Sequence, residues 1–573
     1  MILGLHPVDV TIIAIYFAIV AYIGIVIGQK RAKSLGDFFI AGGSWGPIVS
    51  FIFVVASAVG GSEAVVVAGG AYRSGISGVW YYWHPLYAVP VYFLFSTIYK
   101  RSRVFNAAEF FAMRYGHNLA MLYALLGLCA VMLEIGTCQL AVGKIVSGLT
   151  GLSVDQAVLV ASVVAALCVA SGGQMSTVLS DLFMGVLVLT VYTFLILPFV
   201  WNSAGGLHGL RQLPPEFWSL SSQELTPSYI FSLSFSSSFG GIVAPALFSW
   251  IVVGKDERTA TQCAWGHLWK RAITLLFALY GMLFLINKPG LADAELAWGV
   301  VMKEIIPVGV QGLLVVGFFA ALMSTVNTIA TAASALSVDY VFKRHLFPGR
   351  TGSFYLKSAR VCAFLFVFLS YLLTRQFTTV VRFIEVISSF LAFVAVPLYF
   401  GIIWRKSNRQ GMWAALLVGI SLFMITRFWL ELPFEFTVFV PTFSSALAMY
   451  LVSRFTKPES ELLLNRFYCT LHTPLGQEAK LEATGIRLPA MTKYIEAGDP
   501  EPVEEINEKA LTDLHHEQSE YKVFGPDSSI EILNEPGLGW YYRGFVLITV
   551  ACTALLGVAW LGSRILASIS LAR

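Results

Sequence analysis

Charge is what this sequence has least of. Only 13% of its 573 residues are Asp, Glu, Lys or Arg, against 57% hydrophobic residues, and the mean hydropathy is +0.73. A soluble domain carries roughly a quarter of its residues as charges, so water is not the main solvent of this chain. A glycine-rich phosphate loop followed by Lys-Ser or Lys-Thr is also missing, which argues against an ATP-driven pump within the chain. Seven cysteines are present, but Cys129, Cys138, Cys168, Cys362 and Cys552 fall inside apolar runs and none has metal-type spacing. Neither a disulfide nor a metal site is expected. His6, His84, His117 and His208 are scattered, and no nucleophile can be matched to a base, so an enzyme is the weakest function class and no cofactor is expected. The net charge of +4 is explained by loop clusters, which gives nucleic acid no support as a partner.

Long apolar runs take the place of charge. A helix needs roughly 20 apolar residues to cross a hydrocarbon core of about 30 Å. Fourteen such runs lie near residues 8–28, 45–70, 78–98, 119–148, 155–170, 178–201, 228–253, 270–287, 309–340, 358–374, 378–403, 411–430, 435–454 and 540–566. Asp9 precedes the body of the first run and Lys30, Arg31 and Lys33 follow it, the reverse of a signal peptide's charge order, so this run is read as a retained span. Basic clusters recur at every second loop: Lys30 to Lys33; Lys100, Arg101 and Arg103; Lys255, Arg258, Lys270 and Arg271; Lys343, Arg344, Arg350 and Lys357; and Arg405, Lys406 and Arg409. Short cytoplasmic loops hold the excess of Lys and Arg, so both termini are expected outside. The chain reads as a multi-pass protein of the plasma membrane, or of the inner membrane in a bacterium, with the lipid bilayer as its first partner.

Residues 455–539 depart from this pattern, with Glu504, Glu505, Glu508 and Glu517 and few apolar runs. This segment reads as a cytoplasmic insert before the last helix, either a linker or a docking element. Two spans carry residues that weaken a helix. The second holds Gly60, Gly61 and Ser62, then Gly69 and Gly70; five spans later the seventh holds Ser236, Ser237, Ser238, Gly240, Gly241 and Pro245. Glycines alone let helices pack closely, but a matched pair of interrupted helices marks an inverted repeat with a binding site at mid-membrane. Spans two to six and seven to eleven are then the two repeats. Unwound backbone at that depth lines a cavity, and its freed carbonyls can hold a cation.

Polar residues inside the spans point the same way. Ala321, Ser324, Thr325 and Thr328 recur at i, i+3, i+4 and i+7 and share one helix face. Hydroxyls on such a face either bond within their own helix or supply hard oxygen ligands to a monovalent cation. Asp181 stands inside the sixth span, where carboxylates mark ion or proton pathways or cap a helix. Glu63 follows the glycines directly, and Glu134 lies in the middle of the fourth span. Each can accept hydrogen bonds from a solute, pair with an amine or carry a proton, and each equally reads as a paired acid holding helices together. Trp80, Tyr82, Trp83 and His84 form an aromatic cluster, read as an interfacial belt or as the wall of a solute site.

The chain resembles the sodium/solute symporter family, which includes sodium/galactose, sodium/proline and sodium/sialic acid symporters. The resemblance rests on GGAYRSGISGVWYYW from Gly69 to Trp83, AAEFFAMRYG from Ala107 to Gly116, GGQMSTVLSD ending at Asp181, ALMSTVNT from Ala321 to Thr328, and WRK from Trp404 to Lys406. It implies an all-α polytopic membrane protein of about fourteen helices with the leucine-transporter-type five-plus-five inverted repeat. The segments would be residues 1–44 as an extra helix and loop, 45–405 as the transport core, 406–454 as two further helices, 455–539 as the insert, and 540–573 as the last helix. It implies alternating access driven by sodium, the coupling ion, bound by the carbonyls of Ala56, Val59 and Ala321 with the side chains of Ser324 and Thr325. A second sodium would lie between Asp181, Ser324, Asn327 and Thr328. The solute would sit between spans two, three and seven, near Glu63, Tyr82, Ser237 and Glu134. The sugar-binding pattern of the galactose branch is not kept: Glu63 stands where that branch has glutamine, Tyr82 where it has glutamate and Leu279 where it has lysine. The expected activity is sodium-coupled symport of a small polar organic solute (a sugar, an amino acid or a carboxylate), with proton coupling, a channel or a membrane-embedded solute sensor as alternatives.

Overall fold

A computed structural model describes residues 5–22, 38–39, 41–104, 106–169, 173–488, 505–532, 534 and 537–571. Lys30, Arg31, Lys33 and Glu504 lie outside the described residues. Among the described residues there is no strand, only isolated bridges such as Trp404 to Ile530. Local chemistry sets where helices begin. Pro7 and Pro47 occupy first-turn positions of α1 (Pro7–Ala21) and α2 (Pro47–Ala58), where the missing N–H costs nothing and φ is already helical. Thr226, Thr351 and Asn408 cap later helices by accepting from Tyr229 N, Phe354 N and Gly411 N at 3.2, 3.4 and 2.9 Å.

Among the described residues, nine helices are long and apolar enough to cross a membrane, or eleven spans are reached when each of two bent pairs counts as one. Two further apolar helices, α1 and Val154–Leu167, are shorter. The first bent pair is α2 and the helical stretch Gly61–Ser102, which opens with α3 (Gly61–Ser74), and the two parts diverge by 54°. The chain then reverses at Gly75, whose φ of +68° lies where side chains other than glycine rarely fit. It returns through Trp80–Trp83 to α4 (Ala88–Ser102). Next come α5 (His117–Thr150), α6 (Val154–Val169) and α7 (Gly173–Thr190).

The second bent pair, α8 (Pro227–Gly240) and α9 (Pro245–Val252), turns by 59° and opens the second group of five. It is followed by α10 (Gln262–Asn287), α11 (Val310–Leu336), α12 (Gly352–Thr374) and α13 (Val380–Val394), which continues as α14 (Val396–Ile403). Beyond the repeats lie α15 (Arg409–Met424) and α16 (Phe434–Phe455), then the insert helices α17 (Glu461–His472) and α18 (Glu508–Ser519) with the short helix Glu478–Ala483 between them, and finally α19 (Gly539–Leu571).

Burial separates core from rim. The most apolar stretch of α11 is 94% buried, while that of α19 is 17% buried, so α11 is the axis and α19 an outer helix. Small residues bring the core helices into contact. A Cβ on Gly281 of α10 would stand 2.2 Å from Ala68 O of α3, and one on Gly185 of α7 would meet the Ala56 Cβ of α2 at 2.6 Å.

The described parts of the insert are helices docked on the core rather than a bare linker. Arg103 donates to the carbonyls of Thr470, Thr473 and Pro474. Arg405, just past α14, reaches Glu531, Glu461 and Asn465. The basic residues expected in one loop need correction. Lys270 and Arg271 are 6% and 2% exposed, more than two turns inside the helical stretch that begins at Glu257, and are core side chains rather than loop cations.

Candidate functional site

The two interrupted helices break at different points relative to their small-residue clusters. In the first, Val59 (ψ +81°) and Gly60 (ψ +158°) leave the helix, so the break falls beside the glycines. In the second, Ser236, Ser237 and Ser238 remain helical, and the break comes later, at Ala244 and Pro245. Loss of the amide hydrogen at Pro245 decides that position.

The freed carbonyls fare differently at the two breaks. At the second, Ile242 O and Val243 O accept from the hydroxyls of Tyr99 and Tyr123 at 2.5 and 2.6 Å. At the first, Gly60 N donates to Ala58 O and Glu63 N to Gly60 O, each at 3.1 Å. The carbonyls of Ala56 and Val59, which an unbroken helix would pair with those same amides, have lost their usual donors. Thr325 from α11 faces this gap. Its Oγ1 donates to Ser57 O at 2.9 Å and to Ala321 O at 3.1 Å, and a Cβ on Gly60 would come within 3.2 Å of it. Ser324, 1% exposed, has a buried hydroxyl without a hydrogen bond. Ala56, Val59 and Ala321 are buried beside these groups.

Asp181 of α7 approaches the same region from the other side. It is fully buried, and its Oδ2 accepts from the Ser57 hydroxyl while its Oδ1 has no hydrogen-bond partner. Thr328 Oγ1 donates to Ser57 Oγ at 3.5 Å, and Ser324 is a further hydroxyl facing the carboxylate. Asn327 is the one expected member not tied in, with a buried amide oxygen that has no hydrogen bond. Ser57 joins the two clusters: its side chain reaches Asp181 while its carbonyl receives Thr325. Sequence reasoning passed over it, because a serine in an apolar run has no distinguishing spacing.

Glu63 stands in the first turn of α3, with 0% exposure. The Thr274 hydroxyl donates to its Oε1, and Lys270 Nζ forms an ion pair with its Oε2 at 3.2 Å. Lys270 also lies over the Tyr82 ring, 5.0 Å from its centre, and Tyr82 Oη is 2.7 Å from Ser62 Oγ. Arg271 donates to Tyr82 O at 2.7 Å, and Trp83 Nε1 donates to Arg271 O at 2.7 Å. Glu134 of α5 is near enough to feel the Lys270 charge, but no ion pair joins them. The structure therefore gathers Glu63, Tyr82 and Glu134 around Lys270, a residue the sequence had placed in a loop. Ser237 is buried on α8 and shares none of these hydrogen bonds. Among the described residues, no three His, Cys, Asp or Glu side chains cluster as metal ligands would.

Two groups of five helices, each opening with a broken helix, define an all-helical membrane carrier of the leucine-transporter type. The comparisons agree. The chain superposes on the structure of a substrate-bound, outward-open Na+-coupled sialic acid symporter with a TM-score of 0.68, at 15% identity, over 80% of this chain and all of that one. A nucleobase-cation-symport-1 family transporter with bromovinylhydantoin bound superposes with a TM-score of 0.52, at 15% identity, over 76% of this chain and 98% of the other. Sequence relatives include sodium/myo-inositol cotransporter 2 of Mus musculus, 22% identical over 83% of this chain and 81% of the relative, and sodium/glucose cotransporter 1 of Oryctolagus cuniculus, 23% identical over 83% of each. The family described as the sodium:solute symporter family matches residues 38–419. The chain belongs to the sodium:solute symporter family, and sodium-coupled solute symport is the activity class this membership carries.

Proposed function

We propose that this protein moves a small polar, hydroxyl-bearing solute together with sodium by alternating access. The proposal keeps the topology read from the sequence: fourteen spans with both termini outside, the core at 45–405 and the insert 455–539 in the cytoplasm. Sodium is held by the carbonyls of Ala56, Val59 and Ala321 with the hydroxyls of Ser324 and Thr325. The observation that carries this is the oxygen set at the first break, where two carbonyls have lost their helical donors beside a buried, unbonded serine and a threonine wedge. Hard oxygen ligands suit a hard cation, and a broken helix supplies them without a fixed carboxylate. A second sodium lies at Asp181 with Ser324, Asn327 and Thr328.

The solute binds against Glu63, Tyr82, Ser237 and Glu134. The Glu63–Lys270 pair offers acceptors and donors together, which suits hydroxyls or a zwitterion better than a simple cation or anion. The relatives' names, myo-inositol, glucose and sialic acid, favour the polyhydroxylated class within that range.

The test compares the purified protein's thermal stability in sodium and in potassium at equal ionic strength, then measures uptake in proteoliposomes. Ligands stabilise by binding the folded state, so a sodium-specific rise is expected. Removing one oxygen ligand by Ser324→Ala or Thr325→Ala should raise the sodium concentration for half-maximal uptake by about tenfold, the equivalent of ~1.4 kcal/mol. Unchanged sodium dependence in both variants would reject the ion site. Accumulation driven by acid outside without sodium would instead place the coupling on protons at Glu63 or Asp181.

A further inference from the structure

Away from the Glu63 cluster, a cavity of about 790 Å³ lies between α8, the segment around Trp218 and the outer helix α19. Its size falls within the ~300–1,000 Å³ of small-molecule pockets. Trp80, Trp218, Phe231 and Trp560 form apolar walls, and Arg564 lines one side with its guanidinium 5.6 Å from the Trp560 ring centre. Two serines of α8 also line it. Ser234 is 7% exposed, and the hydroxyls of Ser234 and Ser238 are both buried without a hydrogen-bond partner. A buried hydroxyl left unpaired costs roughly 1–3 kcal/mol, so two of them one helical turn apart point to a ligand that supplies acceptors. Neither Glu63, Lys270 nor Thr325 lines this cavity.

We propose that this trough binds one anionic glycerophospholipid. The inference rests on the protein being embedded in a bilayer, not on which solute it carries. An acyl chain lies along the aromatic walls, the phosphodiester faces Arg564, and the ester carbonyls accept hydrogen bonds from Ser234 and Ser238. The combination of a long apolar wall, one cation and two unpaired donors a turn apart fits a phospholipid's glycerol-ester region, whereas a free anion would leave the aromatic walls unused and a plain hydrocarbon would leave the serines unpaired. The most apolar stretch of α19 is only 17% buried, and the lipid fills the seam between it and the half-helix α8.

The experiment is mass spectrometry of the intact protein released from detergent micelles after titration with phosphatidylglycerol. Wild type should retain one lipid. Arg564→Gln should weaken retention about fivefold, the equivalent of roughly 1 kcal/mol for one basic residue near a lipid phosphate. Ser238→Trp, which fills the trough, should abolish retention, while Arg543→Gln at the other end of the same helix should not change it. Sodium-dependent thermal stabilisation, measured on every variant, shows whether the fold is kept. Equal retention in wild type and Ser238→Trp would overturn the proposal, as would displacement of the lipid by a polyol, which would make the trough a solute vestibule.

Discussion

Replacing Lys270 by Met tests whether the buried pair organises the centre of the protein. Lys270 and Glu63 have side chains 8% and 0% exposed and are 3.2 Å apart. In the variant, Glu63 keeps the Thr274 hydroxyl, but its remaining cation, Arg271, is already engaged with Tyr82 O. Removing one partner of a buried ion pair costs about 3–5 kcal/mol, because the other charge stays desolvated, whereas replacing both partners by apolar or neutral groups is often close to neutral. Lys270→Met alone should therefore lower stability by about 3–5 kcal/mol, and Glu63→Gln alone by a similar amount. The pair Glu63→Gln with Lys270→Met should recover most of the loss, giving a coupling of several kcal/mol in a double-mutant cycle. Unfolding by SDS in mixed micelles, with transport measured on each variant in proteoliposomes, gives both readouts. Additive losses would mean that the two side chains act independently. A loss under about 1 kcal/mol for Lys270→Met would return that residue to the exposed loop role its sequence position suggests.

Gly60→Ala should raise the sodium requirement more than Gly61→Ala does, because a Cβ at Gly60 presses on Thr325 Oγ1 at 3.2 Å while one at Gly61 meets Val142 at 2.9 Å; sodium titrations of uptake compare the two, and equal effects would count against the ion site. Ser57→Ala and Asp181→Asn should each shift the voltage or sodium dependence of transport, and the double variant should be no worse than the more damaging single one, since the two groups share one hydrogen bond. The insert should loosen in acid. Burial, then the charges of Arg405 and Lys522, push His515 down to about 4, against partial support from Glu461, with His516 adding to the repulsion. Its unfolded value is near 6.5, so the stability its neutral form confers is full above that pH and is lost as pH falls from about 6.5 towards 4. Protection from hydrogen exchange at Arg405 and Glu531, whose amides bond to Ser529 O and Ile403 O, taken relative to the intrinsic rate at each pH, should fall across that window. His515→Gln should flatten the change.

What the sequence made legible were features written in local composition. Gly60 and Pro245 weaken a helix through their own backbone chemistry, Ser324 and Thr325 share a face by helical spacing alone, and Asp181 declares itself by being charged inside an apolar run. Lys270 was hidden by a boundary. A basic residue at the edge of an apolar run reads as a loop cation, and only the helix beginning before it, with Glu63 from more than 200 positions earlier, shows that it is buried. Ser57 was hidden for the opposite reason, since its partners Asp181, Thr325 and Thr328 are distant in sequence and its own neighbours are apolar.

The same limit explains why pseudo-symmetry alone does not assign the ion site. Both repeats begin with a broken helix, and composition gives no reason to prefer one break as the cation's ligand. On the proposed function, long-range partners make the choice: Tyr99 and Tyr123 occupy the carbonyls at the second break, while the first keeps those of Ala56 and Val59 without their helical donors. On the proposed reading this asymmetry is also the coupling device. Ala56, Ser57, Val59, Gly60 and Glu63 are one stretch of eight residues, with the ion oxygens at one end and the Lys270 pair at the other. An ion that draws in the Ala56 and Val59 carbonyls fixes the backbone at Val59 and Gly60, and with it the direction of α3 and the position of Glu63. Solute that needs Glu63 in that position then binds more tightly with sodium present, and by reciprocity sodium binds more tightly with solute present.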